Sequence, residues 1–334
     1  LMPLCWVCWV HLLLNHVCPR LHHQAAQVPY FQNRRWTPRG PTPSPHIINH
    51  AVPTEAYMGD LRPFLRRRPD GRCRLMGILN ITPDSFHADS RVNLDSAVER
   101  AMEMWTNGAD WVDIGGESTR PGAEPIDPEE EMQRVIPVIK AVRKANPSGL
   151  ISIDTRRFEV ARAALEAGAN MVNDVSGLRD PEMADLVLEQ GCAVCVMHMQ
   201  GEPGNMQQNP EYDDVHKEVY DSLKETAAAL VEGGHEPGLI CLDPGIGFGK
   251  SLTHNLELLH SRSDSNYSIL WGVSRKSMFG QLLGRTDTSE RLSGTLAVAA
   301  HAMLEGVDIL RVHDVQAHAD LLITLATLRP EVDA

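Results

Sequence analysis

Residues 150–197 read LISIDTRRFEVARAALEAGANMVNDVSGLRDPEMADLVLEQGCAVCVM, and the architecture can be read outward from this segment. Its three short apolar runs predict strands at Leu150–Ile153, Met171–Val172 and Ala193–Met197. The two amphipathic segments between them predict helices at Phe158–Ala167 and Pro181–Gln190. Strands that alternate with helices are typical of a parallel sheet, because each helix carries the chain back to the edge where the previous strand began.

The same alternation continues on both sides of this segment. Further strands are predicted at Leu75–Leu79, Trp111–Ile114, Leu239–Leu242, Ile269–Gly272 and Ile309–Val312. Further helices are predicted over 94–105 with Asn93 as N-cap, from Pro128 with Asp127 as N-cap, and over Tyr212–Glu232, Ser289–Glu305 and Val315–Leu328. Eight strands in roughly 264 residues match a (β/α)8 barrel of ~250 residues better than a doubly wound sheet of about five to seven strands. We therefore predict an α/β fold, a (β/α)8 TIM barrel.

The N-terminal part of the chain differs in composition from the rest. Residues 1–57 contain one acidic residue, Glu55, together with four arginines and no helical or alternating period. We expect residues 1–70 to be a disordered or non-native N-terminal extension and residues 71–334 to form one barrel domain.

Charge and hydropathy exclude two classes of protein. The net charge of -13 argues against a general nucleic-acid binder. The longest apolar run, Leu4–Leu14, is shorter than the ~20 residues that a membrane-spanning helix needs, so no membrane association is expected. Cys192 and Cys195 lie three apart along a predicted strand and therefore point to opposite faces, which predicts plain buried thiols in a cytoplasmic protein.

Polar side chains close nearly every predicted strand. They are Asn80, Asp113, Asp154, Asn173, Asp174, His198, Asp243, Ser274, Lys276, Arg311 and His313. Because the active sites of such barrels lie at the C-terminal ends of the strands, this set predicts an enzyme. Asp154 and Asp243 are candidates for acid–base catalysis, metal binding or binding of a polar heterocycle, and Asn173 favours a ring with mixed donors and acceptors.

Basic residues near the same rim predict an anionic substrate. They are Arg120, Arg275, Lys276, Arg311 and His313. Barrels of this type commonly bind phosphate after strands seven and eight, so we expect a phosphorylated substrate there. Asn80, with substrate phosphates and water, could complete a Mg²⁺ site.

The segment DPGIGFGKS at residues 243–251 looks like a nucleotide-binding loop but differs from one. A P-loop has four residues between its first glycine and the Gly-Lys pair, whereas three separate Gly245 from Gly249 and Lys250. We expect the glycines to let the backbone pass close to a ligand, with Phe248 as an apolar wall. Two long loops, residues 81–92 and 115–125, are candidate lids.

Taken in order, these motifs resemble the dihydropteroate synthases of folate biosynthesis. The matching segments are Met76–Phe86, Asp113–Gly122, Ile153–Thr155, Asn173–Asp174, Met197–Met199, Asp243–Gly245, Ser274–Ser277 and Arg311–Val315. The resemblance implies a (β/α)8 barrel that joins 6-hydroxymethyl-7,8-dihydropterin diphosphate to 4-aminobenzoate and releases pyrophosphate with Mg²⁺. It also implies a homodimer and inhibition by sulfonamides. The chain departs from the family at His87–Ser90, where the family more often has Ser-Asp-Gly-Gly.

The resemblance also implies roles for individual residues. The pterin would be held by Asp154, Asn173, Asp243 and Lys276. The diphosphate and its Mg²⁺ would be held by Asn80, Thr119, Arg120, Arg311 and His313, supported by Asp113. The aminobenzoate pocket would contain Phe86, Pro121, Phe248, Arg275 and Ser277, and Met197 and Gly247 would complete the substrate contacts. The catalytic residues would be Asp154, Lys276, Arg311 and His313. The alternatives are a pterin-binding methyltransferase barrel and a catalytically silent paralogue.

Overall fold

The computed structural model describes residues 59–81, 90–118, 125–202, 204–260 and 265–328. In this part of the chain eight parallel strands close into a barrel in chain order. The strands are β1 (Arg74–Asn80), β2 (Trp111–Gly115), β3 (Leu150–Asp154), β4 (Met171–Asp174), β5 (Ala193–Met197), β6 (Ile240–Asp243), β7 (Ser268–Trp271) and β8 (Ile309–Val312). The barrel closes where β8 pairs with β1, with Ile309 opposite Arg74. The predicted TIM barrel is confirmed.

One short helix precedes β1, and the other helices follow the strands on the outside of the barrel. They are α1 (Arg62–Leu65), α2 (Ser90–Thr106), α3 (Pro128–Ala145), α4 (Phe158–Glu166), α5 (Pro181–Gln190), α6 (Val215–Glu232), α7 (Leu252–His260), α8 (Ser277–Leu283), α9 (Leu292–Glu305) and α10 (Val315–Leu328). Asp127 is the N-cap of α3, since its carboxylate accepts from the Glu129 N–H at 2.9 Å. The prediction of Asn93 as an N-cap is wrong, because α2 begins at Ser90 and residue 93 lies inside it. A helix can begin before its first buried apolar residue, and the pattern reports only the buried stripe.

The short helix α1 packs at the N-terminal end of the barrel. Leu65 is fully buried in one cluster with Met76 and Trp111. The Trp111 indole donates to the carbonyl of Phe64 at 2.9 Å. Residues 59–70, which the sequence assigns to the extension, therefore contain chain that packs with the barrel, so the domain begins before residue 71. Residues 1–58 lie outside the described residues.

Two apolar layers surround the strands. The inner layer fills the N-terminal part of the barrel interior, and its side chains include Trp111, Cys195 and Cys241. The outer layer lies between the strands and the helices. Cys192 lies in the outer layer and Cys195 in the inner one, as their spacing predicts. Cys73, Cys192, Cys195 and Cys241, the four cysteines of the described residues, are buried. Among the helices of the described residues, none combines the length and the apolar character that a membrane span requires.

Candidate active site

The barrel interior changes from apolar to polar toward the C-terminal ends of its strands. Along β2 the inward residues are Trp111 and then Asp113, and along β3 they are Leu150 and then Asp154. This order follows from the two-residue period of a strand, which returns every second side chain to the same face. The polar interior layer consists of Asp113, Asp154, Asn173, Asp243 and Arg311.

Arg311 on β8 lies between two carboxylates that belong to β2 and β3. Its Nε donates to Asp113 Oδ2 at 2.6 Å and its Nη2 donates to Asp154 Oδ2 at 2.5 Å. Asn173 Nδ2 also donates to Asp113 Oδ2, at 3.1 Å. Asp113 Oδ1 and Asp154 Oδ1 are buried and accept no hydrogen bond from the described residues. Buried acceptors without donors are costly, so both atoms are suited to receive N–H groups from a ligand.

The charges in this cluster shift one another. Burial raises the pKa of Asp154 to about 7, and the charge of Asp113 adds to this effect while Arg311 opposes it. Burial disfavours the charged form of Arg311, but Asp113 and Asp154 outweigh it and hold the pKa of the guanidinium above its usual value. One permanent cation therefore serves two carboxylates, and Asp154 is the one poised to gain a proton near neutral pH.

A second group lies on the other side of the mouth, around Lys276. Its Nζ donates to the carbonyl of Ile246 and lies 4.1 Å from the centre of the Phe248 ring. Burial lowers the pKa of Lys276 to about 7, although the Asp243 carboxylate acts in the opposite direction. Asp243 is buried, which raises its pKa, and its Oδ1 accepts from the Gly245 N–H at 2.8 Å. A cation, a carboxylate and an aromatic face are thus brought together.

Two smaller residues shape this group. Met197 packs in the cluster that Phe248 covers. Gly247 has φ +84°, and a Cβ there would lie 3.0 Å from Lys276 Cδ, so glycine leaves room for the lysine chain. Both residues therefore lie next to the group around Lys276 and Phe248.

Four further predicted residues lie near the rim with different partners. His313 Nδ1 is 3.0 Å from Ser274 Oγ. Asn80 is exposed at the end of β1. Arg275 forms an ion pair with Asp314, with 2.9 Å between Nε and Oδ2, so its guanidinium is directed to that carboxylate. Ser277 is exposed at the first position of α8.

The remaining predicted site residues lie outside the described residues. They are Phe86, Thr119, Arg120 and Pro121. Most of both candidate lid loops and residues 87–89 of the departure at His87–Ser90 also fall there.

The structure separates two neighbours that the sequence could not distinguish. Asn173 reaches Asp113 inside the barrel, whereas Asp174 accepts from the Ser176 and Leu178 N–H groups at 2.7 and 2.9 Å. Asp174 therefore forms the turn that follows β4.

Two buried cations near the mouth had no role assigned from the sequence. Lys250 is 3% exposed, and Arg157 joins buried Glu131 at 2.7 Å and Glu117 at 3.1 Å. The Gly-Lys pair that ends the glycine-rich segment was the available signal for Lys250. Nothing in the local pattern marks Arg157.

The donors of the described residues fit a metal site that is shared with the substrate. Among the described residues no group of three or more His, Cys, Asp or Glu could hold a metal ion. Asn80 offers one amide oxygen at the rim. Mg²⁺ usually keeps several waters and is shared with substrate phosphates, so a single protein oxygen beside a diphosphate suits its chemistry.

Comparison with known proteins identifies relatives of this site and fold. The sequence profile of the family described as "Pterin binding enzyme" matches residues 76–313. The dihydropteroate synthase of Escherichia coli strain K12 is 46% identical over 259 residues, which cover 76% of this chain and 91% of that protein. The chain is also similar to a Yersinia pestis dihydropteroate synthase solved in a sulfonamide drug complex, with a TM-score of 0.72, 39% identity and coverage of 78% and 95% of the two chains. Burkholderia cenocepacia dihydropteroate synthase complexed with 7,8-dihydropteroate gives a TM-score of 0.69 and 44% identity, covering 77% of this chain and 92% of that one.

Proposed function

The chain belongs to the pterin binding enzyme family, and from that membership we propose that it catalyses the dihydropteroate synthase reaction. It joins 6-hydroxymethyl-7,8-dihydropterin diphosphate to 4-aminobenzoate, and the products are 7,8-dihydropteroate and pyrophosphate. The observation that carries the proposal is the polar layer at the mouth of the barrel, where two buried carboxylate oxygens lack a donor among the described residues.

The pterin ring is held by the polar interior of the barrel. Its edge presents ring N–H and amino donors beside a carbonyl acceptor. Asp154 and Asp243 accept from these donors, Asn173 offers both a donor and an acceptor, and Lys276 donates. The Phe248 ring, 4.1 Å from the Lys276 ammonium, covers the same space as an apolar wall.

The diphosphate is held by the basic side of the rim. Nε and Nη2 of Arg311 bind carboxylates, while its Nη1 makes no hydrogen bond to the described residues and has donors for an anion. His313, fixed by Ser274, is the second group there, and Thr119 and Arg120 complete the set. Asn80 and the phosphate oxygens would hold Mg²⁺, which would supply positive charge beside the departing pyrophosphate.

The reaction is a dissociative substitution at the methylene carbon of the pterin. The carbon–oxygen bond breaks, and its electron pair leaves with pyrophosphate, whose charge Arg311 and His313 stabilise. The pterin carries the resulting positive charge next to the carboxylates that bind it. The amino nitrogen of aminobenzoate then attacks the carbon and releases a proton. This route uses no covalent enzyme intermediate, and the buried cysteines take no part in it.

The aminobenzoate pocket is assigned to Phe86, Pro121, Phe248, Arg275 and Ser277. Sulfonamides resemble aminobenzoate in shape and charge, so they compete for this pocket. The Yersinia pestis relative was solved with such a drug, which supports this assignment.

We also propose that the protein is a cytoplasmic homodimer, and its surface and cysteine chemistry support this proposal. Leu304 on α9 and Ile323 and Leu328 on α10 are 62%, 48% and 73% exposed, and these apolar side chains support a homodimer formed through the last helices. The buried cysteines support a reducing, cytoplasmic location.

Pyrophosphate release tests the proposal. Purified protein receives the dihydropterin diphosphate, with aminobenzoate and Mg²⁺ each present or omitted. Release that requires both supports the synthase. Tight pterin binding without release would indicate a silent paralogue, and absence of pterin binding would refute the assignment.

A further inference from the structure

Lys250 lies where two loops at the mouth of the barrel meet. The β5 loop is residues 198–214, and the β6 loop is residues 244–251. Lys250 belongs to the β6 loop, its side chain is buried, and none of the steps described above uses it.

The ammonium of Lys250 contacts three acceptors from both loops. Its Nζ is 2.9 Å from the carbonyl oxygen of Phe248, 3.1 Å from His198 Nδ1 and 3.3 Å from the carbonyl oxygen of His198. Three acceptors match the three N–H donors of an ammonium group. Lys250 therefore joins the backbone of the β6 loop to the backbone and side chain of the β5 loop.

The groups around Lys250 act on its charge in opposite directions. Burial lowers the pKa of Lys250 to about 7, and the carboxylate of Asp243 acts against that shift. Burial, together with Lys250 and Arg179, lowers the pKa of His198 to about 3, so the imidazole is neutral and can accept at Nδ1. The other cation that faces Lys250 is Lys276, which lowers its pKa.

The two loops are also in direct backbone contact. A Cβ on Gly245 would lie 1.9 Å from the carbonyl oxygen of His198. Gln207 donates to the carbonyl of Gly247 at 2.7 Å, and the Tyr212 hydroxyl donates to the carbonyl of Gly249 at 2.8 Å. The β5 loop thus acts as the support on which the β6 loop rests.

We propose that Lys250 is a positioning residue that holds Phe248 over the pterin pocket by fastening the β6 loop to the β5 loop. The chain of contacts runs from Lys250 through the Phe248 carbonyl to the Phe248 ring, which faces Lys276 and Met197. The inference rests on the proposed function, because it assigns Lys250 to the pterin half of that site. It leaves the diphosphate half, around Arg311 and His313, unaffected.

Replacement of Lys250 by methionine tests whether Lys250 supports the pterin half of the site and leaves the diphosphate half unaffected. The side chain keeps its apolar stem and loses its ammonium, so the carbonyls of His198 and Phe248 are left without that donor. In Lys250→Met we expect the affinity for 6-hydroxymethyl-7,8-dihydropterin diphosphate to fall about tenfold or more, measured by isothermal titration with Mg²⁺. Affinity for Mg²⁺-pyrophosphate should stay within about twofold of wild type, because Arg311 and His313 are untouched.

A matched control removes a lysine elsewhere. Lys217 is 71% exposed on α6, where it pairs with Asp221. Lys217→Met should leave both affinities and the rate of pyrophosphate release at wild-type values. General damage from Lys→Met replacement would appear in this control as well.

A second pair of variants keeps the inference falsifiable if Lys250→Met does not fold. His198→Leu removes the acceptor at Nδ1 and should weaken pterin binding, whereas His198→Asn places an amide oxygen near that position and should restore part of it. Equal pterin affinity in His198→Leu and His198→Asn would overturn the inference.

The outcomes separate the inference from the function. If the wild-type protein binds the pterin and Lys250→Met binds it with the same affinity, the role of Lys250 is overturned and the proposed function is unaffected. Equal weakening toward pterin and pyrophosphate also overturns it, since that pattern indicates general destabilisation. A wild-type chain that binds no pterin refutes the proposed function and the inference with it.

Discussion

Replacement of Gly245 by alanine should damage both stability and activity. Gly245 has φ +67°, and its added Cβ would lie 1.9 Å from the carbonyl oxygen of His198. A carbon and a carbonyl oxygen normally approach to roughly 3.3 Å, so one of the two loops must move by about 1.4 Å. That movement strains the bond from the Gly245 N–H to Asp243, which is 2.8 Å long.

The expected magnitude combines two costs. A residue with a Cβ is destabilised by about 1 kcal/mol in the left-handed region of φ and ψ, and overpacking against His198 adds about 1–3 kcal/mol. The free energy of unfolding should therefore fall by about 2–4 kcal/mol. The loop also carries Gly247 and Phe248. A displacement of about 1 Å in an active site can cost about 100-fold in rate, so kcat/KM should fall by about that factor.

Gly191→Ala is the matched control. Gly191 ends α5 with φ +57°, and a Cβ there meets no atom within 4 Å. The alanine variant therefore has the left-handed backbone strain but no steric clash, and we expect about 1 kcal/mol of destabilisation with normal activity. Urea unfolding and steady-state pyrophosphate release measure both variants. If Gly245→Ala were as stable and as active as Gly191→Ala, the close approach of the two loops would be refuted.

Three further predictions concern buried charges. Burial raises the pKa of Asp154 from 3.8 to about 7, so its ionisation lowers the free energy of unfolding as pH rises from about 4 to about 7. Urea unfolding of Asp154→Asn should lack this decline, and its rate of pyrophosphate release should fall at least about 100-fold. Because burial lowers the pKa of Lys276 to about 7, wild-type kcat/KM should fall above that pH as the ammonium loses its charge. Lys276→Met should keep only residual kcat/KM, and that residual activity should lack this fall above about pH 7. Arg157→Met leaves buried Glu131 without its cation and should lower the free energy of unfolding by about 3–5 kcal/mol; a loss below about 1 kcal/mol in thermal or urea unfolding would contradict the buried pair.

The strand and helix order could be read from the sequence because its signals are local. Each predicted strand agrees with an observed one to within two residues, and the cap at Asp127 is present. The apolar runs and the capping residues act over a few positions, so no distant contact is needed to recognise them. Helices α7 and α8 were not anticipated, and the seven residues of α8 are too few to show a clear period.

The residues of the site could be identified from sequence motifs, but the hydrogen bonds and ion pairs between them depend on the fold. Arg311 was expected beside the diphosphate, and the structure also places it between Asp113 and Asp154, residues that are 198 and 157 positions away in the chain. Closure of the barrel pairs β8 with β1 and so brings it near β2 and β3, and this proximity leaves no trace in the local sequence.

Neighbouring residues show why the fold was needed. Asn173 and Asp174 both follow the same apolar run, yet one enters the barrel and the other forms a turn. Lys250, which ends a motif that resembles a phosphate loop, is buried against the β5 loop instead. Residue type and strand period reveal which side chains can do chemistry. The face on which each one lies, and the partner that sets its charge, arise from register and barrel closure, which bring distant strands within hydrogen-bonding distance.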